Sequence, residues 1–291
     1  MSLIKSIVAL STVSLLSGCI VVASASNADF HNQRQLTLSA SDINALHIES
    51  GAGSLIVRGK EGLTEIQLSA DIYTSASDRN NFELTLKKSG NKAYLIANIP
   101  RSFGSWIGSS PHIDVVVDVP QQLMLAINDG SGDIKISDLN AFIEIKDGSG
   151  DLSINDINAN IEIDDGSGDL SINDIVGNID INDGSGELSV TNIVGNVNIV
   201  DNSGEMVLKN ITGNLAIEDG SGGIYVQKIT GSVGIEDDSG DLIVRQVGGV
   251  VTIEDGSGDI DVETTGGLKI LASGSGDLRI KDINGKLDID S

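Results

Sequence analysis

Aliphatic residues recur along the second half of the chain with a period of 18 residues. When positions are counted from the first Gly of an Asp-Gly-Ser-Gly turn, such as Gly130, positions 5, 7 and 16 are aliphatic in nine successive copies. Position 10 is aliphatic except at Thr265, and position 14 except at Lys269. The alternation predicts two short strands per copy, separated by turns rich in Gly, Asn and Asp.

One copy carries too few aliphatic side chains to bury them by itself, so the copies must stack. Stacking at about 4.8 Å places identical side chains in columns and shares their burial between neighbours. The sequence therefore predicts an all-β protein, a parallel β-solenoid of 18-residue coils over residues 127–291. An antiparallel meander with the same period is the structural alternative.

The template occurs once more, earlier in the chain. Ser50–Val57 repeats the Gly-rich turn and the aliphatic residues after it. We therefore expect a first, degenerate coil that is interrupted by residues 60–120, inside a β-rich N-terminal cap over residues 41–126. Alternating residues predict four strands in the interruption, at 65–73, 82–88, 92–99 and 113–119.

The start of the chain has the features of an export signal. Lys5 precedes a short apolar run, and Leu16-Ser17-Gly18-Cys19 follows it, which resembles the bacterial lipobox. The resemblance implies a signal peptide over residues 1–18, acylation of Cys19 and, with Ile20 next, delivery to the outer membrane. Residues 19–40 show no periodicity and are interpreted as a tether. A plain signal peptide with an incidental Cys is the alternative.

Charge is concentrated in the repeats. Residues 1–126 hold 10 acidic and 9 basic side chains, whereas residues 127–291 hold 32 and 9. Such a surface repels nucleic acid and attracts cations or basic partners. The favoured explanation is a solvated surface that keeps a long β-structure soluble.

The acidic residues fall into two columns, one before the Gly-Ser-Gly turn and one after it. Carboxylates stacked at the coil spacing repel each other, and a hard cation such as Ca²⁺ would relieve this. The pattern resembles the calcium-binding nonapeptide β-roll but places its Asp directly after the second Gly, which weakens the parallel. The candidate cation ligands are Asp129, Asp133, Asp147, Asp151, Asp165, Asp169, Asp183, Asp255 and Asp259.

No catalytic constellation is apparent. All three His residues lie outside the nine repeats, so the repeated Ser has no candidate base within its own coil. A carbohydrate-cleaving β-helix is the enzyme alternative, and it is disfavoured because coils of constant length leave no groove. The loop around Phe103, Trp106 and Ile107 is a candidate contact with a partner or the bilayer surface; alternatively, Trp106 covers the end of the rod.

The lipobox, the β-rich start and the Gly-Ser-Gly-Asp-aliphatic repeats together resemble a bacterial family of provisionally named adhesins, domain of unknown function 4097. The resemblance covers roughly residues 40–291 and implies a solenoid fold and envelope binding, with no catalytic residues to carry over. We therefore expect a non-catalytic, lipid-anchored envelope rod that binds a protein or glycan partner. The alternative is a divalent-cation module; no other cofactor is expected.

Overall fold

The computed structural model describes residues 29–75, 79–100 and 110–290, and these residues form β-strands joined by turns. The first seven strands build the N-terminal part: β1 (Asp29–Ser39), β2 (Ala45–Ser50), β3 (Leu55–Lys60), β4 (Glu65–Ser75), β5 (Glu83–Ser89), β6 (Lys92–Asn98) and β7 (His112–Pro120). No helix in these described segments has the length and apolar character needed to span a bilayer.

The remaining strands wind in parallel around one core. They are β8 (Met124–Asp129), β9 (Ile134–Leu139), β10 (Ile143–Asp147), β11 (Leu152–Ile157), β12 (Ile161–Asp165), β13 (Leu170–Val176), β14 (Ile179–Asp183), β15 (Leu188–Val194), β16 (Val197–Asp201), β17 (Met206–Thr212), β18 (Leu215–Asp219), β19 (Ile224–Ile229), β20 (Val233–Asp237), β21 (Leu242–Ser257), β22 (Ile260–Ser275), β23 (Leu278–Ile283) and β24 (Leu287–Ile289).

Each strand pairs with the strand one coil away, in register. Ile143 of β10 pairs with Ile161 of β12, and Leu152 of β11 pairs with Leu170 of β13, so the register advances by 18 residues per coil. The pairing is parallel throughout the repeats, which confirms the solenoid and excludes the antiparallel meander. We number the coils one to nine from residues 130, 148, 166, 184, 202, 220, 238, 256 and 274.

The predicted aliphatic positions form the core. Leu170, Ile172, Ile175, Ile179 and Ile181 occupy positions 5, 7, 10, 14 and 16 of coil three, and each is at most 2% exposed. The side chains between them point outward, because successive residues of a strand face opposite sides. Each coil thus has a front face, formed by positions 6 and 8, and a back face, formed by positions 15 and 17.

The predicted first coil is confirmed. β2 pairs with β8, placing Ser50 beside Asp129, and β3 pairs with β9, placing Leu55 beside Ile134. The insertion between β3 and β8 contributes four strands at the predicted places. Two of them, β6 and β7, also pair in parallel with β2 and β3, so they continue the stack by one further layer.

Antiparallel strands close this end of the stack. β5 pairs with β6, β4 with β7, and β1 with β4. The prediction of a tether over residues 19–40 is wrong for its last part, since β1 occupies Asp29–Ser39. The inward-facing positions of β1 include Asn32 and Arg34 as well as Leu36 and Leu38, and these two polar residues hid the alternation.

Coil eight explains why Lys269 breaks the pattern. The register between β21 and β22 shifts, so Leu268 rather than Lys269 pairs with Val251 and is buried. Lys269 thereby faces outward, since a one-residue shift moves a side chain to the other side of the strand. Thr265 remains buried, and its hydroxyl donates to the carbonyl of Gly267 at 3.1 Å.

Candidate functional site

The two acidic columns lie at different depths. The carboxylates before each Gly-Ser-Gly turn are only 1–6% exposed, and we call them the inner column: Asp129, Asp147, Asp165, Asp183, Asp201, Asp219, Asp237 and Asp255. They occupy position 18, which has the same parity as the buried positions 14 and 16 of the same strand. The strand therefore turns these side chains toward the core side.

One oxygen of each inner carboxylate organises the turn that follows. The backbone N–H of Ser185 donates to Oδ1 of Asp183 at 3.2 Å, and that of Ser239 donates to Oδ1 of Asp237 at 3.0 Å. The same bond recurs in every coil from Asp147 to Asp255. This side-chain cap is a common way for Asp to fix a tight turn.

The second oxygen is buried without a partner among the described residues. This holds for Oδ2 of every inner carboxylate, and for both oxygens of Asp129. Burial disfavours the charged form. It raises the pKa of Asp129 and of Asp219 to about 7, and in Asp219 the neighbouring carboxylates of Asp237 and Asp201 add to the effect. Burial and the neighbouring Asp201 and Asp165 raise the pKa of Asp183 to about 6.

The acidic residues at position 4 follow the turn and form the outer column, which lies at the surface. Its members are Asp133, Asp151, Asp169, Glu187, Glu205, Asp241, Asp259 and Asp277, with Gly223 in the place of a ninth. Here Oδ1 bonds between coils: the N–H of Asp169 donates to Asp151 at 3.2 Å, and that of Asp277 donates to Asp259 at 2.9 Å. Backbone N–H donors stabilise the charged form, and the N–H of Asp277 with nearby Arg279 lowers the pKa of Asp259.

The predicted cation ligands are thus split between a buried and an exposed column. In the described segments, no three His, Cys, Asp or Glu side chains converge in an arrangement that could hold a metal ion. A shallow depression on the back face does bring carboxylates of both depths together, lined by Glu218, Glu236, Glu254, Asp238 and the inner Asp201, Asp219 and Asp237. Like charges at the coil spacing repel by about 0.9 kcal/mol in bulk water.

The front face carries a cationic segment that the sequence analysis missed. Val207, Tyr225 and Ile243 form one in-register row, and Lys209, Gln227 and Arg245 form the row beside it. The Lys209 ammonium lies 4.9 Å from the centre of the Tyr225 ring. The sequence does contain a signal for this segment, because its Lys and Arg residues stand between two stretches, 147–208 and 246–268, that contain neither.

A second missed cluster lies on the N-terminal part. The ring of Tyr73 stacks between His31 and His112, with centroid distances of 4.7 and 4.6 Å. His31 Nε2 lies 2.7 Å from Asp71 Oδ1. The strand register of β1, β4 and β7 brings these residues together, and no spacing in the sequence signals it.

The far turn of each coil contains a residue in the left-handed region. Position 9 has φ between 55° and 63° in all nine coils, and it is Asp or Asn in six of them but Lys228, Gln246 and Thr264 in coils six to eight. Asp and Asn tolerate this conformation better than other non-Gly residues. The Asp and Asn residues at position 9 therefore serve the structure of the turn.

Cys19, Phe103, Trp106 and Ile107 lie outside the described residues.

Comparisons with known proteins find one family and several solved structures to which the chain is similar. The family model of Toastrack DUF4097 matches residues 43–267. A solved structure of a provisionally named cell adhesion protein from Clostridium sporogenes is 10% identical, covers 86% of this chain and 99% of its own, and has a TM-score of 0.29. For a provisionally named adhesin from Bacteroides fragilis the values are 12%, 89%, 97% and 0.33. For a provisionally named lipid-binding protein from Parabacteroides distasonis they are 12%, 90%, 97% and 0.35. No curated protein sequence matches the chain.

Proposed function

Because the chain belongs to the Toastrack DUF4097 family, we propose that it is a non-catalytic binding rod of the bacterial cell envelope, held at the membrane through an acylated Cys19. The observation that carries the proposal is the uniformity of the stack. Coils one to seven repeat one register around an aliphatic core, and their polar and charged variation lies at outward positions, while coil eight departs from that register by a one-residue shift. A scaffold of this kind presents long, regular surfaces to a partner.

The lipobox supplies the anchor in this proposal. Several acyl chains on Cys19 would hold the rod at a membrane, where a single chain would not. We expect the full-length protein to incorporate labelled fatty acid and to sediment with outer membranes, and we expect Cys19→Ser to do neither. A wild-type protein that incorporates no labelled fatty acid and stays in the soluble fraction would contradict the proposed lipid anchor.

The binding role has its own test. The chain without residues 1–19 retains every described strand and can be offered to whole cells, to purified envelope glycans and to anionic vesicles. Saturable binding to cells or glycans without product formation supports the proposal. Turnover of a glycan at a rate abolished by a point mutation would show that the protein is an enzyme.

A second candidate function, binding of divalent cations, is favoured by one observation. The inner column holds eight carboxylates whose Oδ2 atoms have no partner among the described residues. If Ca²⁺ neutralised them, millimolar Ca²⁺ would raise the melting temperature well beyond NaCl of matched ionic strength. A rise that NaCl reproduces would assign the column to the fold alone.

A further inference from the structure

Coils five to seven differ from the rest of the rod on both outward faces. On the front face, a bulky apolar row of Val207, Tyr225 and Ile243 runs beside a row that contains Lys209 and Arg245. In coils two to four the equivalent positions are small and uncharged: Ser153, Ser171, Ser189, Asn155, Asn173 and Thr191. The front face thus changes, within one rod, from neutral and polar to apolar and cationic, and its Arg245 also pairs with Asp261 of the neighbouring coil at 3.2 Å.

The back face of the same three coils has the complementary character. Ala216, Gly234 and Thr252 form an in-register row of small residues. Beside it runs a row of three exposed glutamates, Glu218, Glu236 and Glu254. No ion pair to these glutamates occurs within the described part of the chain.

The backbone at position 234 does not require a glycine. A Cβ added there would meet nothing within 4 Å, and its φ lies outside the left-handed region. The turn glycines differ sharply: a Cβ on Gly222 would lie 1.6 Å from the carbonyl oxygen of Gly204. Gly234 lies in coil six, the same coil that carries Tyr225, the largest side chain of the front row.

We propose that the front face of coils five to seven docks on the back face of coils five to seven in a second copy of this chain. Tyr225 and its apolar neighbours would lie over the small-residue row, and Lys209 and Arg245 would pair with the glutamates. Both pairs of rows have the same spacing along the rod, because both are set by one coil repeat. Charge complementarity across such a contact fixes partner and register.

The contact joins two different faces, so it is heterologous and leaves one free face at each end of a pair. Further copies add side by side, which would give rows of parallel or antiparallel rods on a membrane. The full chain has a formal net charge of −24, so two copies repel each other. At physiological salt this repulsion is largely screened at distances beyond about 8 Å. The association should therefore be measured near 150 mM salt. This proposal stands apart from the anchor and from any glycan or cation ligand.

The test is sedimentation velocity on the chain without residues 1–19, from micromolar to several hundred micromolar. Wild type should form concentration-dependent dimers and larger species. Two charge-reversal variants, Lys209→Glu with Arg245→Glu and Glu218→Lys with Glu254→Lys, should each associate at least tenfold more weakly. An equimolar mixture of the two should recover association, because each reversed face then meets its complement.

Two further variants separate docking from folding and from net charge. Gly234→Leu places a bulky side chain in the small-residue row, where a Cβ meets open space, so it should lose association while keeping the wild-type melting temperature. Glu162→Lys with Asp164→Lys reverses two back-face carboxylates in coil two, which changes net charge as much as the Glu218 and Glu254 pair, and it should keep association. A monomeric wild type at every concentration overturns the proposal, as does a mixture that fails to recover. If wild type stays monomeric while polyglutamate binds it through Lys209 and Arg245, the front face is a site for an anionic polymer instead.

Discussion

The inner and outer columns both consist of carboxylates, at positions four residues apart, and the fold gives them opposite environments. Asp183 is 1% exposed and Glu187, after the turn, is exposed. Each inner Asp fixes the turn that follows it directly along the chain, whereas an outer Asp such as Asp169 accepts from the N–H of the residue 18 positions later and so joins stacked coils. Depth, set by the parity of the strand, therefore decides what a stacked Asp does; residue type alone does not.

The turn between the columns should be the most sensitive part of this arrangement. In Gly186→Ala, the new Cβ would lie 1.8 Å from the carbonyl oxygen of Gly168, at a φ of 145°. We expect a loss of about 4 kcal/mol in the free energy of unfolding, or no folded protein. Gly223→Ala is the matched control, since its Cβ approaches only the Asp241 oxygen at 4.0 Å, and it should change stability by less than about 0.5 kcal/mol. Equal losses in urea unfolding would contradict the structure of the turn.

The next largest effect should be on the pH dependence of thermal stability, and it should arise from the inner column. The folded-state pKa of Asp219 is raised by burial and by Asp237 and Asp201 to about 7. A raised pKa contributes stability that is fully present below the unfolded value near 3.8 and is lost as pH rises through 7. The wild type should therefore melt at a higher temperature at pH 5 than at pH 8.

Replacing one inner carboxylate should remove part of that slope. Asp219→Asn keeps the Oδ1 acceptor for Ser221 and cannot ionise, so it should raise the melting temperature at pH 8 by roughly 2–4 °C and change it little at pH 5. Asp259→Asn in the outer column is the control, because the pKa of Asp259 is lowered and its carboxylate is charged at both pH values, so the substitution should have the same effect at pH 5 and at pH 8. An Asp219→Asn protein with the wild-type slope would show that this group ionises freely in the fold.

The smallest effect should come from the outer column itself. Asp169→Ala removes the acceptor of the Glu187 N–H, a bond of 3.1 Å at the surface, and should cost about 0.5–1 kcal/mol. Glu205→Ala is the comparison, because the described hydrogen bonds give its carboxylate no backbone donor. Chemical unfolding of the two variants should differ by most of that amount, and a larger loss for Glu205→Ala would argue against the inter-coil bond.

Much of the fold follows from the sequence because stacking turns a repeat into geometry. The 18-residue period predicts the register, and Ser50–Val57 predicts the first coil through its likeness to later ones. β1 was missed, since Asn32 and Arg34 on its inward side break the alternation. The shift that buries Leu268 in place of Lys269 was missed too, because a fixed period cannot anticipate a bulge.

The candidate site was predicted less well. Treating both acidic columns as cation ligands overlooked that position 18 shares the parity of positions 14 and 16, which was readable from the repeat. The stack of His31, Tyr73 and His112 could not be anticipated, because its residues come from three strands of the N-terminal part. The cationic rows of coils five to seven were visible as an exception in charge but needed the strand register to become a face.

The most direct test of the difference between the columns is a carboxyl ¹³C NMR titration of the chain without residues 1–19. Asp129 and Asp219 should titrate with pKa values of about 7, and Asp165, Asp183 and Asp237 with values of about 6. Asp259 in the outer column should titrate below its ordinary value. Inner-column signals that titrate together with Asp259 would contradict the account, because they would show that the buried and exposed carboxylates share one environment.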